Sequence, residues 1–243
     1  MAFGRSKRMS DHPKIIAWSY SAMNTFETCP RQYYAKYVSK ECPFVQNAAA
    51  KWGDDVHKAF EDAIKYGSSL PANMVMYQKF LDAVRYRADK LGGELIAERP
   101  VALTRDLKSV SWFTKKTAKE PVWFRLKVDV STIVGDYAEL LDWKTGKMKD
   151  DPDQLHLYAL VVFILHPEIN KANVGYVWLK DGVLTPPVTY HRSQMPEMLA
   201  YWVAKYEVLE KAFLEDNFPP KPSGLCHGWC EVTSCRHNKN YSG

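Results

Sequence analysis

The chain has 243 residues, 46% of them hydrophobic and 25% charged, a balance that supports a folded core and excludes disorder over most of the length. Lys and Arg number 33 against 28 Asp and Glu, and the net charge of +5 admits a polyanionic partner without demanding one. The longest apolar run, 157–165, is far short of a bilayer span and no apolar stretch follows the basic start, so neither a transmembrane helix nor a secretory leader is expected. Without a leader, five cysteines point to reduced thiols or metal ligation rather than a disulfide framework.

In chain order, residues 1–18 read as a basic arm and 19–217 as one mixed α/β domain, with a Pro-, Gly- and Cys-rich tail over 218–243. Ser19 or Ser21 suits the cap of a short helix through Phe26. Pro30 suits the first turn of a second, which carries Tyr33, Tyr34 and Tyr37. Residues 48–66 place Trp52, Val56, Phe60 and Ile64 on one helical face. A further helix over 73–91 stops at Gly92-Gly93. The period then changes. Residues 94–103 read as strand, and 122–130 alternates strictly, with Val122, Phe124, Leu126, Val128 and Val130 on one face and Arg125, Lys127 and Asp129 on the other. A turn at Gly135-Asp136 leads to a third strand over 137–144. Asp151 as N-cap and Pro152 at the first position open a helix to Leu165. Strands over 173–179 and 183–190, joined at Asp181-Gly182, form an expected hairpin, and a long amphipathic helix covers 193–215.

Chemistry concentrates in Asp142-Trp143-Lys144. On a strand, Asp142 and Lys144 share a face. An acid and an amine so placed suit phosphodiester hydrolysis: the carboxylate binds a divalent cation, while the amine orients water and offsets transition-state charge. An isolated Asp-x-Lys is more often a surface ion pair, and it is the company that shifts the balance. Asp129 ends the polar face of the preceding strand, so two carboxylates can converge on one hard cation. His57 and Glu61 lie one helical turn apart and can face the same site, although His57 alone reads as a hydrogen-bonded core histidine. Gln154 and Tyr158 share a helix face, which alone would be a solvent-facing surface.

Together these residues resemble the RecB-like branch of the PD-(D/E)xK nuclease superfamily, as seen among phage recombination exonucleases and CRISPR-associated nucleases. The likeness lies in Gly53-x-x-x-His57, Val128-Asp129, Leu141-Asp142-Trp143-Lys144-Thr145-Gly146 and Gln154-x-x-x-Tyr158, in that order, after an opening Tyr20-Ser21-Ala22-Met23-Asn24-Thr25-Phe26 that runs on through Cys29-Pro30 to Tyr34. The resemblance implies a restriction-endonuclease-like α/β core, a mixed sheet flanked by helices. It implies Mg²⁺ or Mn²⁺ held by His57, Asp129, Asp142 and the backbone carbonyl of Trp143, Lys144 as the catalytic lysine, and Gln154 and Tyr158 as positioning groups. The function it implies is a DNA exonuclease of recombination, repair or processing, in a bacterial or phage-infected cytoplasm, with a recombinase or helicase as partner. A non-catalytic DNA-binding module with a structural metal cluster is the alternative.

Cys226, Cys230 and Cys235 crowd into a Pro- and Gly-rich backbone, a grouping that suits a soft metal. Iron–sulfur members of the family place one cysteine near the N-terminus and three near the C-terminus. The resemblance therefore implies a 4Fe–4S cluster on Cys29, Cys226, Cys230 and Cys235 that closes the tail onto the N-terminal helices. Zinc, with His227 or His237 completing a tail-only site, stays open. Cys42 reads as a structural thiol, the tryptophans as mostly core, and the stretch 105–119, with Trp112, Phe113 and four lysines, as a solvated loop or a DNA-contacting one.

Overall fold

The computed structural model describes residues 16–42, 45–149 and 151–241. The elements in order are β1 (Trp18–Ser19), α1 (Tyr20–Thr28), α2 (Pro30–Tyr33, continued by a π-turn over Tyr34–Val38), α3 (Ala48–Tyr66), α4 (Gln78–Leu91), β2 (Glu94–Leu103), β3 (Phe124–Val134), β4 (Tyr137–Lys144), α5 (Pro152–Leu165), β5 (Lys171–Trp178), β6 (Val183–Leu184), β7 (Val188–His191) and α6 (Met195–Leu214). The backbone divides into two compact units, one of 46–101 with 126–200, the other of the segments up to 45, 102–125 and 201 onward. No helix among the described residues is long and apolar enough to cross a membrane.

The unit of 46–101 and 126–200 is a mixed sheet covered on both faces. β3 and β4 pair antiparallel from Val134↔Tyr137 to Val130↔Leu141, across the turn where Gly135 takes a φ of 54°. β4 and β5 pair parallel, from Tyr137↔Lys171 to Lys144↔Trp178, with α5 as the crossover. Alternation along β4 sorts its side chains. Leu141 and Trp143 join Val56, Phe60 and Ala63 of α3, Leu81 and Val84 of α4 and Val177 of β5 in one apolar cluster. Asp142 and Lys144, pointing the other way, meet α5. That helix is apolar on nearly every side and buried from Leu157 through Phe163, which is why its sequence shows no amphipathic stripe. Glu139, on the α4 side of β4 and 4% exposed, is held by two hydrogen bonds from the Arg87 guanidinium.

Glycines end α3 and α4, with Gly67 closing α3 at φ 69°. Gly92 caps α4 in the left-handed region at φ 74°. A Cβ on Gly93 would come within 2.4 Å of Val134 Cγ2, so the next residue must also be glycine.

Several expectations need correction here. The helix expected over 73–91 opens with a 3₁₀ segment, Ala72–Tyr77, before α4 begins. The long helix expected from Ser193 is preceded by a 3₁₀ turn over Arg192–Gln194 and starts at Met195. The hairpin's second arm is two short strands, because Pro186 and Pro187 can donate no ladder hydrogen bond. Asp151 does precede α5, but its side chain makes no cap hydrogen bond; it faces Lys149 Nζ at 3.4 Å instead.

In the other unit, β1 pairs parallel with the start of β3, and Ser19 caps α1 by accepting the Ala22 N–H. Trp18, Trp123, Phe124, Trp202 and Tyr206 form a buried aromatic core, in which Trp18 stacks on Trp202 at 5.6 Å. Of the expected basic arm, residues 1–15 lie outside the described residues; Ile16 and Trp18 are buried. The tail lies on the N-terminal helices of its own unit. Arg31 donates to Ser234, Ser234 donates to Glu41, and Lys36 pairs with Glu231 at 3.1 Å.

Candidate active site

The β3–β4 ladder ends at Val130↔Leu141, and one more step of that register sets Asp129 opposite Asp142. There the Asp129 carboxylate takes over from the ladder: its Oδ2 accepts the Trp143 backbone N–H at 3.0 Å. Its Oδ1 lies 3.3 Å from His57 Nδ1. His57 reaches it because α3 runs close to the end of β4, where a Cβ on Gly53, one turn before His57, would come 3.3 Å from Thr145 Oγ1. A glycine at 53 keeps that approach close without displacing Thr145.

Asp142 is 2% exposed. Its Oδ1 accepts from Tyr158 Oη at 2.5 Å and from Gln154 Nε2 at 2.8 Å, both on one face of α5. Lys144 Nζ stands 2.7 Å from Asp142 Oδ2 and donates to Gln154 Oε1 at 2.8 Å. The Asp142–Lys144 contact is an ion pair only; Oδ2 accepts no well-directed hydrogen bond. Gln154 thus holds the acid with its amide nitrogen and the amine with its amide oxygen. All the candidates His57, Asp129, Asp142, Lys144, Gln154 and Tyr158 are brought into one connected group, with Trp143 as the backbone link.

Charge is concentrated in two facing pairs, His57 with Asp129 and Lys144 with Asp142. Burial, and then the charge of Asp129, push the Asp142 carboxyl above the usual carboxylate range, against the pull of Lys144. Burial alone would lower the His57 imidazole, but its contact with Asp129 and the charges of Asp129 and Asp142 overcome that and raise it to about 8. The Tyr158 phenol is raised well above its ordinary value, by burial first and Asp142 second, and so remains a donor.

A profile of the PD-(D/E)XK nuclease superfamily matches residues 17–236. The chain belongs to that superfamily. Among solved structures, a Eubacterium rectale protein that carries a provisional exonuclease name aligns with 92% of this chain and 89% of its own, at 12% identity and a TM-score of 0.51. A second, SSO0001, aligns with 91% of this chain and 86% of its own, at 10% identity and a TM-score of 0.36. No curated protein matches. The first likeness shows the restriction-endonuclease-like fold, a central mixed sheet flanked by helices, and membership of the superfamily makes the chain a nuclease, a hydrolase of phosphodiester bonds.

PD-(D/E)XK nucleases usually use Mg²⁺ or Mn²⁺. Among the described residues, no three His, Cys, Asp or Glu side chains stand together as a ready-made metal site; Asp129 faces His57 and Asp142 faces Lys144. The donor chemistry fits a hard cation all the same. Burial and the charge of Asp129 add to the cost of ionising Asp142, whose Oδ2 accepts no well-directed hydrogen bond, and a divalent charge would offset that cost. His57 and Asp129 open onto a cleft also lined by Gly53, Asp54, Lys58, Glu61 and Lys127. Of these, Lys58 and Asp54 had no signal in the sequence beyond ordinary helix-surface charge. Tyr176 was missed as well: the Lys144 ammonium lies 5.1 Å from its ring centre, a contact that appears only once β4 and β5 are paired.

Cys29, Cys226, Cys230 and Cys235 line one recess, with His237 beside them. The Lys221 backbone N–H donates to Cys29 Sγ and the Ser223 N–H to Cys226 Sγ, each at 3.4 Å. Cys42 stands apart, its thiol donating to the Glu231 carbonyl at 3.3 Å and held above its ordinary value by burial first and Glu41 second. In the stretch 105–119, Trp112 is fastened by Arg125, whose guanidinium lies over its ring and donates to its carbonyl, and Lys108 pairs with Glu120. Phe113 is 86% exposed.

Proposed function

We propose that this chain is a metal-dependent DNA exonuclease that acts on ends or single strands. The observation that carries the reading is the buried Asp142 carboxylate, gripped by Tyr158 and Gln154 on one oxygen and faced by Lys144 on the other, with Asp129 across the strand pair. In this reading His57, Asp129, Asp142 and the Trp143 carbonyl hold Mg²⁺ or Mn²⁺. When bound, the ion supplies Lewis-acid charge at the scissile phosphate and lowers the pKa of water. Lys144 donates from Nζ to the attacking water and offsets the negative charge that grows on the phosphate oxygens. Gln154 keeps the ammonium and the carboxylate in register, and Tyr158 fixes the Asp142 rotamer. The family likeness suggests recombination, repair or DNA processing in a bacterial or phage-infected cytoplasm, with a recombinase or helicase as partner.

The deciding assay uses single- and double-stranded DNA labelled at either end, with Mg²⁺, Mn²⁺ or chelator. Stepwise release of mononucleotides or short products from one labelled end, abolished by chelator, is the expected result. Internal fragments without end dependence would overturn the exonuclease reading, and cleavage undiminished by chelator would overturn the metal.

We further propose that Cys29, Cys226, Cys230 and Cys235 bind one 4Fe–4S cluster. Support comes from the shared recess and from backbone N–H groups directed at two of the sulfurs, a pattern that stabilises ligated thiolates. Anaerobically purified protein is expected to be brown with about four irons per chain, and Cys29→Ser to lose iron and melt earlier, since the cluster ties together distant chain segments. A colourless protein with one zinc that Cys29→Ser retains would assign the site to the tail, with His237 as the fourth ligand.

A further inference from the structure

We propose that the recess beside Lys144 is a nucleobase subsite, which takes the unpaired base of the nucleotide at the point of cleavage. This rests on the nuclease reading above and adds the substrate class: a strand unpaired where it is cut.

The parallel register of β4 and β5 sets Asp142 beside Tyr176 and Lys144 beside Trp178, so the two aromatics share the face that carries the acid and the amine. Tyr176 and Trp178 contact each other at 5.5 Å between ring centres. Beside them opens a cavity of about 380 Å³, walled by Met148, Leu155, Pro186 and Val188, with each of the two rings only 4% exposed. That size falls in the range of small-ligand sites, about 300–1,000 Å³. Lys149 stands at the same recess and adds positive charge, partly balanced by Asp151 at 3.4 Å.

Continuity with the catalytic group identifies the occupant. Tyr176 touches the Lys144 ammonium, the group placed for a phosphate, and within one nucleotide the base lies a short reach from its phosphate. A largely apolar hollow at that reach, with two rings in its floor, matches the face of a base. The nearby hydroxyls are already committed: Tyr176 Oη donates to the Asp151 carbonyl at 2.6 Å, and Thr185 Oγ1 accepts the Tyr176 N–H at 2.9 Å and donates to the Tyr176 carbonyl at 3.2 Å. With Lys149 and Asp151 paired to each other, contact is mainly with the flat surface of the base rather than with its pairing edge, and sequence preference is weak. A base inside a duplex is stacked and paired, so it enters a side recess only by leaving the helix, at a cost that a single strand does not bear.

The test uses end-labelled single strands, each with one abasic tetrahydrofuran residue, stepped past the scissile phosphate in Mg²⁺ or Mn²⁺. A loss of about tenfold in kcat/KM is expected at one register alone, with the four natural bases there alike within about threefold. Val188→Trp and Met148→Trp, at positions 40% and 51% exposed, narrow the recess from two sides. In either variant the intact strand should be cut as slowly as the abasic one, and the abasic penalty should vanish. Binding gives a readout apart from cleavage: 2-aminopurine at the same register should be quenched on Lys144→Ala protein and released when Val188→Trp is added.

Equal rates at every abasic position, without quenching, would overturn the subsite and leave the nuclease reading standing. A penalty that persists in both narrowed variants would place the base elsewhere and overturn it too. Failure to bind or cut any strand would overturn both readings.

Discussion

Lys144→Ala is expected to lower DNA cleavage about 10³-fold at saturating Mg²⁺ or Mn²⁺ while DNA binding and folding change little. The size follows from what is removed. Lys144 Nζ stands 2.7 Å from Asp142 Oδ2, and Gln154 holds it there. Stability should survive because Asp142 keeps its hydrogen bonds from Tyr158 and Gln154 and Trp143 keeps its place in the core. The measurements are initial rates on end-labelled strands, anisotropy of a labelled strand, and thermal melting. Undiminished cleavage by purified Lys144→Ala would remove the residue from the chemistry.

Phe60→Ala should show the opposite pattern: a loss of about 3–5 kcal/mol in unfolding free energy with cleavage reduced less than about tenfold at a temperature where the variant is folded. Phe60 is fully buried and meets Trp143 edge to face at 4.6 Å, so truncation removes a large apolar area and leaves a cavity against β4. The acid and amine lie on the other face of the strand, which limits the effect on activity. Phe60→Leu should lose much less, since the space stays mostly filled. Denaturant midpoints on the two variants check this. A Phe60→Ala protein as stable as the original would mean that the site's support lies elsewhere.

The two variants separate chemistry from support. One is expected to move the rate and spare the midpoint, the other to move the midpoint and largely spare the rate.

Sequence by itself determined the elements whose cause is local. The helix over 48–66, the strand over 137–144 and the Pro152 start of α5 follow from side-chain period and turn residues within a short window, and the structure places them there. The same local logic put Asp142 and Lys144 on one face and Gln154 and Tyr158 on another, since a strand repeats every two residues and a helix brings positions four apart together. Proline chemistry was readable where Pro152 opens a helix but overlooked where Pro186 and Pro187 interrupt the hairpin's second arm.

Only the tertiary structure decided what depends on register and long-range approach. That Asp129 accepts the Trp143 N–H, that His57 reaches Asp129, and that Arg87 offsets the buried Glu139 each join residues far apart in the chain. So does the alignment of Tyr176 with Asp142, whereas the grouping of Cys29 with the tail cysteines was expected from the family resemblance and from no local pattern. No window of sequence carries these contacts, because a one-residue shift in β-pairing would turn every side chain to the opposite face while leaving the local pattern unchanged. What selects the true register is burial: Leu141, Trp143 and Val177 must all meet α3 and α4 together, and that requirement exists only in the folded chain.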